Sequence, residues 1–333
     1  MQFGQLNRRK FITAVGGAAL AWPPAARAQQ VGKLWHIGFL SSQPRATVGS
    51  SLYAGFETGM HELGYTEGKD FISEWRSADG KYERLPNLAA ELVRAKMDVI
   101  VCGLTAGIRA LQQATDTIPI VMAYSVDPVG NRMVASLARP GGNITGLAGS
   151  SDDSAPKQLE LLASVVANPS RIAFLGNPES PVYHPVRKSV EAAAKNAGLL
   201  IVPGEARNPQ ETEDAFAVFA KEGAQAVIVS GDGLFFGQQR RIAEFALKNH
   251  LASMFPQREY VEAGGLISYG ESLSDFFRRA ASFVDKIFKG AKPGDLPIEQ
   301  PTKFNLVINR RTADALGVTI PPQLYIFADE VIE

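Results

Sequence analysis

The sequence predicts an α/β protein built as two doubly wound halves with a ligand cleft between them, and three observations carry that expectation. The first is order: a short apolar run, a Gly/Ser/Asn/Asp turn and a longer amphipathic segment recur along the chain. Continuous runs of β-branched residues and leucine mark strands covered on both faces, and their alternation with helices marks parallel βαβ units. The second is punctuation, since Arg139-Pro140-Gly141-Gly142-Asn143 gathers strong turn formers near mid-chain, with the loop Gly149–Asp153 soon after. The third is size: 333 residues with 45% hydrophobic side chains suffice for one large or two medium domains of roughly 100–200 residues.

Taken in order, Leu34–Leu40 predicts a strand before a helix near Val48–Leu63, Val99–Cys102 one before a helix near Ala106–Ala114, and Ile118–Met122 a further strand. Beyond the turn cluster, Ile172–Leu175 precedes a helix at Val182–Ala197, Leu199–Val202 one at Glu211–Lys221, and Ala226–Val229 one at Gln238–Lys248. Leu266–Tyr269 is another apolar run.

The net charge is zero, with 34 Lys and Arg against 34 Asp and Glu. Phosphate contacts need a basic excess, so this balance argues against a nucleic-acid binder. The zero is a sum of unlike parts. Residues 1–28 hold Arg8, Arg9, Lys10 and Arg27 with no acidic residue, giving +4, and the other 305 residues carry −4. Those 28 residues read as a leader. A basic Asn7-Arg8-Arg9-Lys10-Phe11-Ile12-Thr13 is followed by an uncharged apolar stretch from Phe11 to Trp22, too short to span a bilayer, and then by the small-x-small signal Ala26-Arg27-Ala28. The twin arginine resembles a Tat signal, with Asn7 where Ser or Thr is usual. An uncleaved amphipathic helix is the alternative, opposed by Pro23 and Pro24. The mature protein is therefore expected outside the cytoplasm, starting near Gln29.

Ligand contacts in doubly wound sheets come from the loops at the carboxyl ends of the strands. In the first half these include Ser41 and Ser42, Thr105 and Ala106, and Ser125 and Asp127. Small hydroxyls there cap a helix or donate to a carboxylate, and the residue types leave both roles open. Asp127 before Pro128 equally starts a turn. In the second half Asn177 lies in one loop, and Asp232, between Gly231 and Gly233, in another. A carboxylate at that point can bind an α-ammonium group or simply shape a left-handed turn. Tyr269 is either a stacking wall or a core aromatic.

Gly231-Asp232-Gly233-Leu234-Phe235-Phe236-Gly237 imitates a dinucleotide fingerprint with one residue too many, and no acidic residue follows at the required distance. The four histidines, His36, His61, His184 and His250, show no metal-ligand spacing, and no Gly-x-Ser-x-Gly elbow or phosphate loop is present. Cys102, the single cysteine, excludes an intrachain disulfide and reads as a buried thiol. No catalytic residue, metal or cofactor is expected. Binding is favoured over catalysis, with an exported α/β enzyme for a small polar substrate or a periplasmic sensor module as alternatives.

Longer stretches carry a family resemblance. These are Ala54-Gly55-Phe56 with Leu63-Gly64-Tyr65-Thr66-Glu67-Gly68, Ile118-Pro119-Ile120-Val121 leading to Asp127-Pro128-Val129, Arg139-Pro140-Gly141-Gly142-Asn143-Ile144-Thr145-Gly146, and Lys157-Gln158-Leu159-Glu160-Leu161-Leu162. Ala263-Gly264-Gly265-Leu266-Ile267-Ser268-Tyr269-Gly270 and Leu296-Pro297-Ile298-Glu299-Gln300-Pro301-Thr302-Lys303-Phe304 complete them. Over residues 34–333 the chain resembles the periplasmic substrate-binding proteins of ABC transporters, in the family that includes tryptophan/tyrosine-type binding proteins.

The resemblance implies two Rossmann-like lobes in the type I periplasmic binding protein fold, joined by a hinge of about three strands and closing on a ligand. It implies residues 31–142 and about 266–333 in the first lobe and 143–265 in the second, after a signal peptide at 1–28. It further implies a monomer in the periplasm that delivers an amino acid, aromatic favoured, or an aromatic carboxylate to permease subunits. Tyr124, Phe235, Phe236 and Tyr269 are the aromatic residues available to hold a ring.

Overall fold

Strand β1 (Trp35–Ser41) opens a parallel sheet completed by β2 (Phe71–Ser77), β3 (Val99–Cys102), β4 (Ile120–Met122) and β5 (Ile144–Gly146), in the order β2-β1-β3-β4-β5. The computed structural model describes residues 33–44, 52–149, 151–300 and 303–333. The expected leader, the start of the helix from Val48 and part of the loop Gly149–Asp153 lie outside the described residues.

The pleat explains why β3 has no polar member. Val99 and Val101 join Ile37 and Phe39 in the core on one side of the sheet, while Ile100 and Cys102 join Ile120 and Met122 on the other. Helices α1 (Leu52–Glu62), α2 (Leu85–Arg94) and α3 (Thr105–Ala114) follow the first strands. The α2 and α3 residues Leu88, Leu92, Ile108 and Leu111 cover one face, and Tyr53, Phe56 and Met60 of α1 cover part of the other. Burial pushes the Cys102 thiol up to about 12. Native protein is accordingly expected to resist iodoacetamide and to be alkylated only after denaturation, a difference that mass spectrometry reads.

The second sheet holds β6 (Arg171–Gly176), β7 (Leu200–Glu205), β8 (Ala226–Val229), β9 (Ala252–Phe255), β10 (Ile267–Gly270), β11 (Asn305–Asn309) and β12 (Glu330–Ile332), ordered β12-β11-β10-β9-β8-β6-β7. Its pairs are parallel except β10 with β11. Helices α4 (Ser151–Val165) and α5 (Tyr183–Asn196) pack on the face of Ile172, Phe174 and Ile228, and α6 (Pro209–Lys221) and α8 (Gln239–Lys248) on that of Leu175, Val227 and Val229. Two short helices, α7 (Gly233–Phe236) and α9 (Arg258–Glu262), follow β8 and β9.

After β10 the chain returns to the first lobe as α10 (Leu273–Phe288). Its apolar stripe, including Phe276, Ala280, Ala281 and Val284, completes the face that α1 leaves half bare. Gly55 and Gly59, one turn apart on α1, allow this approach: a Cβ built on either would overlap the backbone carbonyl oxygen of Ser274 or Arg278, respectively. The chain then runs back to β11, α11 (Arg310–Leu316), α12 (Pro322–Phe327) and β12.

The expected lobe boundaries therefore need correcting. Ile144–Gly146 belongs to the first sheet, so the second lobe begins with α4 rather than at residue 143. Of residues 266–333, only the part from α10 to Glu299 joins the first lobe. The cause is hydrogen bonding: Ile267 and Ser268 extend the parallel ladder of Met254 and Phe255, and β11 then pairs with β10. The chain crosses between lobes after Gly146, Gly270 and Glu299. Among the described residues, no helix is long and apolar enough to cross a membrane.

Candidate functional site

Loops at the carboxyl ends of strands in both sheets meet around a cavity of about 110 Å³. Its walls combine leucines and valines with five aromatic side chains: Phe39, Trp75 and Tyr124 from the first sheet and its loops, Phe277 from α10, and Phe236 from α7. Phe39 and Trp75 stack with ring centroids 4.5 Å apart and planes 6° from parallel, which stiffens that wall. Phe277 lies against Gly103, where a Cβ would come within 2.7 Å of the ring.

The polar lining has two parts. On the first lobe, Thr105 and Ala106 begin α3, whose preceding residue Leu104 supplies no side-chain cap. Ser41 and Ser42 lie beside them in the lining. Thr105 is not a cap: its hydroxyl accepts from the Val126 N–H at 3.3 Å and lies 3.5 Å from the Ser125 hydroxyl. On the second lobe, Ser180, Asp232 and Gln257 line the cavity.

Asp232 is the most heavily bonded carboxylate of the site. It caps α7 in extended backbone (φ −152°, ψ 144°), so no left-handed turn is involved. Its Oδ1 accepts from the Leu234 N–H at 2.9 Å and the Asn177 amide at 3.2 Å, and its Oδ2 from the Tyr82 hydroxyl at 2.9 Å. Ser180 also bonds it. Burial pushes its carboxyl above the usual range, against these hydrogen bonds, which favour the ionised form. Burial, reinforced by that carboxylate, pushes the Tyr82 phenol well above its ordinary value, so Tyr82 remains a donor.

Tyr82 comes from the first lobe, and its bond to Asp232 spans the lobes. The Tyr82 oxygen also accepts from the Gly233 N–H at 3.3 Å, and the Gln43 amide donates to the Gly233 carbonyl at 3.3 Å. A Cβ on Gly233 would overlap Ser42, so glycine is required for this approach. Together these contacts latch the lobes shut over the cavity.

The raised Asp232 pKa has a sign. Between its unfolded value and its raised folded value the native state holds the proton and the unfolded chain does not, so the group's contribution to stability is lost as pH rises through that window. The stability of the wild type relative to Asp232→Asn is therefore expected to fall as pH rises from about 4 and to level off above the folded pKa. Urea titrations at stepped pH check this.

Of the residues singled out in the sequence, Ser41, Ser42, Thr105, Ala106 and Asp232 line the cavity. Asn177 stands one layer behind, holding Asp232 and accepting from the Glu179 N–H. Ser125 is fully buried beside Met133. Asp127 is exposed at φ 43°, its Oδ1 accepting from the Gly130 N–H at 2.8 Å, and so shapes a turn outside the lining. Tyr269 stacks on Phe304 away from the cavity. Of the other aromatics considered, Tyr124 and Phe236 line it, whereas Phe235 is a core residue. Gln257 was legible in principle, since it follows β9 in a strand-end loop. Trp75, inside β2, and Phe277, on a helix contributed from far along the chain, carry no such signal.

The sequence matches the family model described as ABC transporter substrate binding protein over residues 49–332. A tyrosine-binding protein of Clostridioides difficile (strain R20291) is 24% identical over 265 residues, covering 79% of this chain and 76% of that protein. Among solved structures, a conserved domain protein from Vibrio cholerae is 26% identical with a TM-score of 0.83, covering 90% of this chain and 100% of that one. An ABC domain in complex with L-Trp from Streptococcus pneumoniae is 25% identical with a TM-score of 0.80, at 90% and 100% coverage. Two α/β lobes of the type I periplasmic binding fold, crossed by the chain and latched over an aromatic cavity, agree with a family match that takes in most of the chain: it belongs to the ABC transporter substrate binding proteins.

Proposed function

We propose that the protein works outside the cytoplasm, in the periplasm, as the monomeric receptor of an ABC importer, and that closure of its lobes commits a small aromatic ligand for delivery to membrane permease subunits. The single observation that carries this reading is the cavity itself, walled by Phe39, Trp75, Phe236 and Phe277 and shut by Tyr82 and Asp232 from opposite lobes. A ligand that touches both lobes stabilises the closed arrangement by its differential affinity for it. The tyrosine-binding relative and the L-Trp complex support an aromatic amino acid as the ligand class, with an aromatic carboxylate as the alternative.

A receptor reading also suits the chemistry of Asp232. Among the described residues its partners are Tyr82, Asn177, Ser180 and the Leu234 N–H, all donors, with no histidine or second carboxylate among them to act as base. The test is a thermal-shift screen against amino acids and aromatic acids. At least one compound is expected to raise the melting temperature, because a ligand bound only by the native state stabilises it; silence across a broad solute panel would count against the reading.

A further inference from the structure

We infer that the cavity selects an apolar monocarboxylate lacking an α-ammonium group, an arylalkanoic acid or close analogue, with its carboxylate against the first turn of α3. This rests on the receptor reading above and narrows its ligand class.

The anion end is built from backbone donors. The N–H groups of Thr105, Ala106 and Gly107 open the ten-residue helix α3, and the first intrahelical bond is made only by Ile108, so among the described residues these three have no acceptor. They form the positive end of the helix dipole, where a carboxylate is favoured. A second and independent feature points to a ligand. The Gln257 carboxamide and the Ser42 hydroxyl line the same cavity and are only 9% and 7% exposed, and among the described residues neither side chain has a hydrogen-bond partner. Polar side chains that deeply buried are normally satisfied. Both are neutral, and each can donate to a carboxylate or a ring hydroxyl.

The ammonium end is missing. Among the described residues, Asp232 is the only carboxylate in the lining, and it is already occupied. A carboxylate has about four lone-pair sites, and those of Asp232 face Leu234, Asn177, Tyr82 and Ser180. An α-ammonium group brought here loses its water and finds the carboxylate oxygens of Asp232 already shared among other donors, so the charge of Asp232 offsets only part of that loss. The remaining wall is apolar and aromatic, in a cavity of about 110 Å³, smaller than the engineered apolar cavity of about 150 Å³ that takes up benzene, so the space admits at most one aromatic ring system.

Calorimetric titration of the protein with matched pairs tests the inference: 3-phenylpropanoate against L-phenylalanine, 3-(4-hydroxyphenyl)propanoate against L-tyrosine, and indole-3-propanoate against L-tryptophan. The acid is expected to bind at least tenfold tighter in one pair or more. An amino acid that binds as tightly as its acid in every pair overturns the inference and leaves the receptor reading standing. So does binding of none of the six while another solute binds. Binding of no solute in a broad panel overturns both. Two variants test the placement. Ala106→Asp puts a charge where a helix first turn accepts it and is expected to weaken the acid at least tenfold at an unchanged melting temperature; unchanged affinity refutes the carboxylate's position. Gln257→Glu supplies a carboxylate with oxygens free to accept from an ammonium group and is expected to shift the preference at least tenfold toward the amino acid, and no shift contradicts the account of selectivity.

Discussion

Replacing Gly59 with leucine is expected to destabilise the protein by about 3 kcal/mol or more. The new Cβ would overlap the Arg278 carbonyl oxygen, which belongs to the backbone of α10 and cannot rotate aside as a side chain would. Relief requires the two helices to separate, and separation exposes Phe56, Met60, Phe276 and Val284, all fully or almost fully buried. The loss is read as a lower urea midpoint at a similar slope. Gly142→Ala is the control: nothing lies within 4 Å of a Cβ built there, and its φ is outside the left-handed region. That change is expected to stay within about 0.5 kcal/mol, so equal losses at both positions would refute the packing argument.

Tyr82→Phe is expected to weaken ligand binding by roughly tenfold to a hundredfold. The phenol donates to Asp232 across the lobes and accepts from the Gly233 N–H, so its removal leaves a buried carboxylate oxygen with one donor fewer and a backbone donor unpaired. Both penalties fall on the closed form, because the two partners sit on different lobes. The ring remains, so the packing of the 3₁₀ turn Tyr82–Arg84 is kept. Stopped-flow measurements should place most of the change in dissociation. Unaltered dissociation would mean that closure does not depend on this contact.

The strands were legible wherever burial on both faces removed every polar residue from a run, as in Val99–Cys102 and Ala226–Val229. Lobe membership was not, because it depends on which surface a segment finds after folding. Nothing local in Leu273–Phe288 says that its stripe fits α1 rather than the second sheet. The site divides in the same way. Ser41, Ser42, Thr105, Ala106 and Asp232, which line the cavity, could be singled out because strand ends announce themselves by a change from apolar runs to small and polar residues. The role of Asp232 was not readable, since its partners Tyr82 and Asn177 lie 150 and 55 residues away. Trp75 and Phe39 look like any aromatic inside a strand, and only their shared stacking places them on a cavity wall.

The return of α10 to the first lobe sets the order in which a growing chain can finish folding. Everything the first sheet needs is synthesised by Gly146 except the helix that closes one of its faces, and that helix arrives only after five strands of the second sheet have been made. On the ribosome the lobe made first is thus completed late, with Phe39, Phe56 and Val121 short of their cover meanwhile. Long-range closure of this kind slows folding and prolongs exposure of sticky surface. A nascent chain halted before Leu273 should therefore be a good chaperone client, and one extended past Phe288 a poor one.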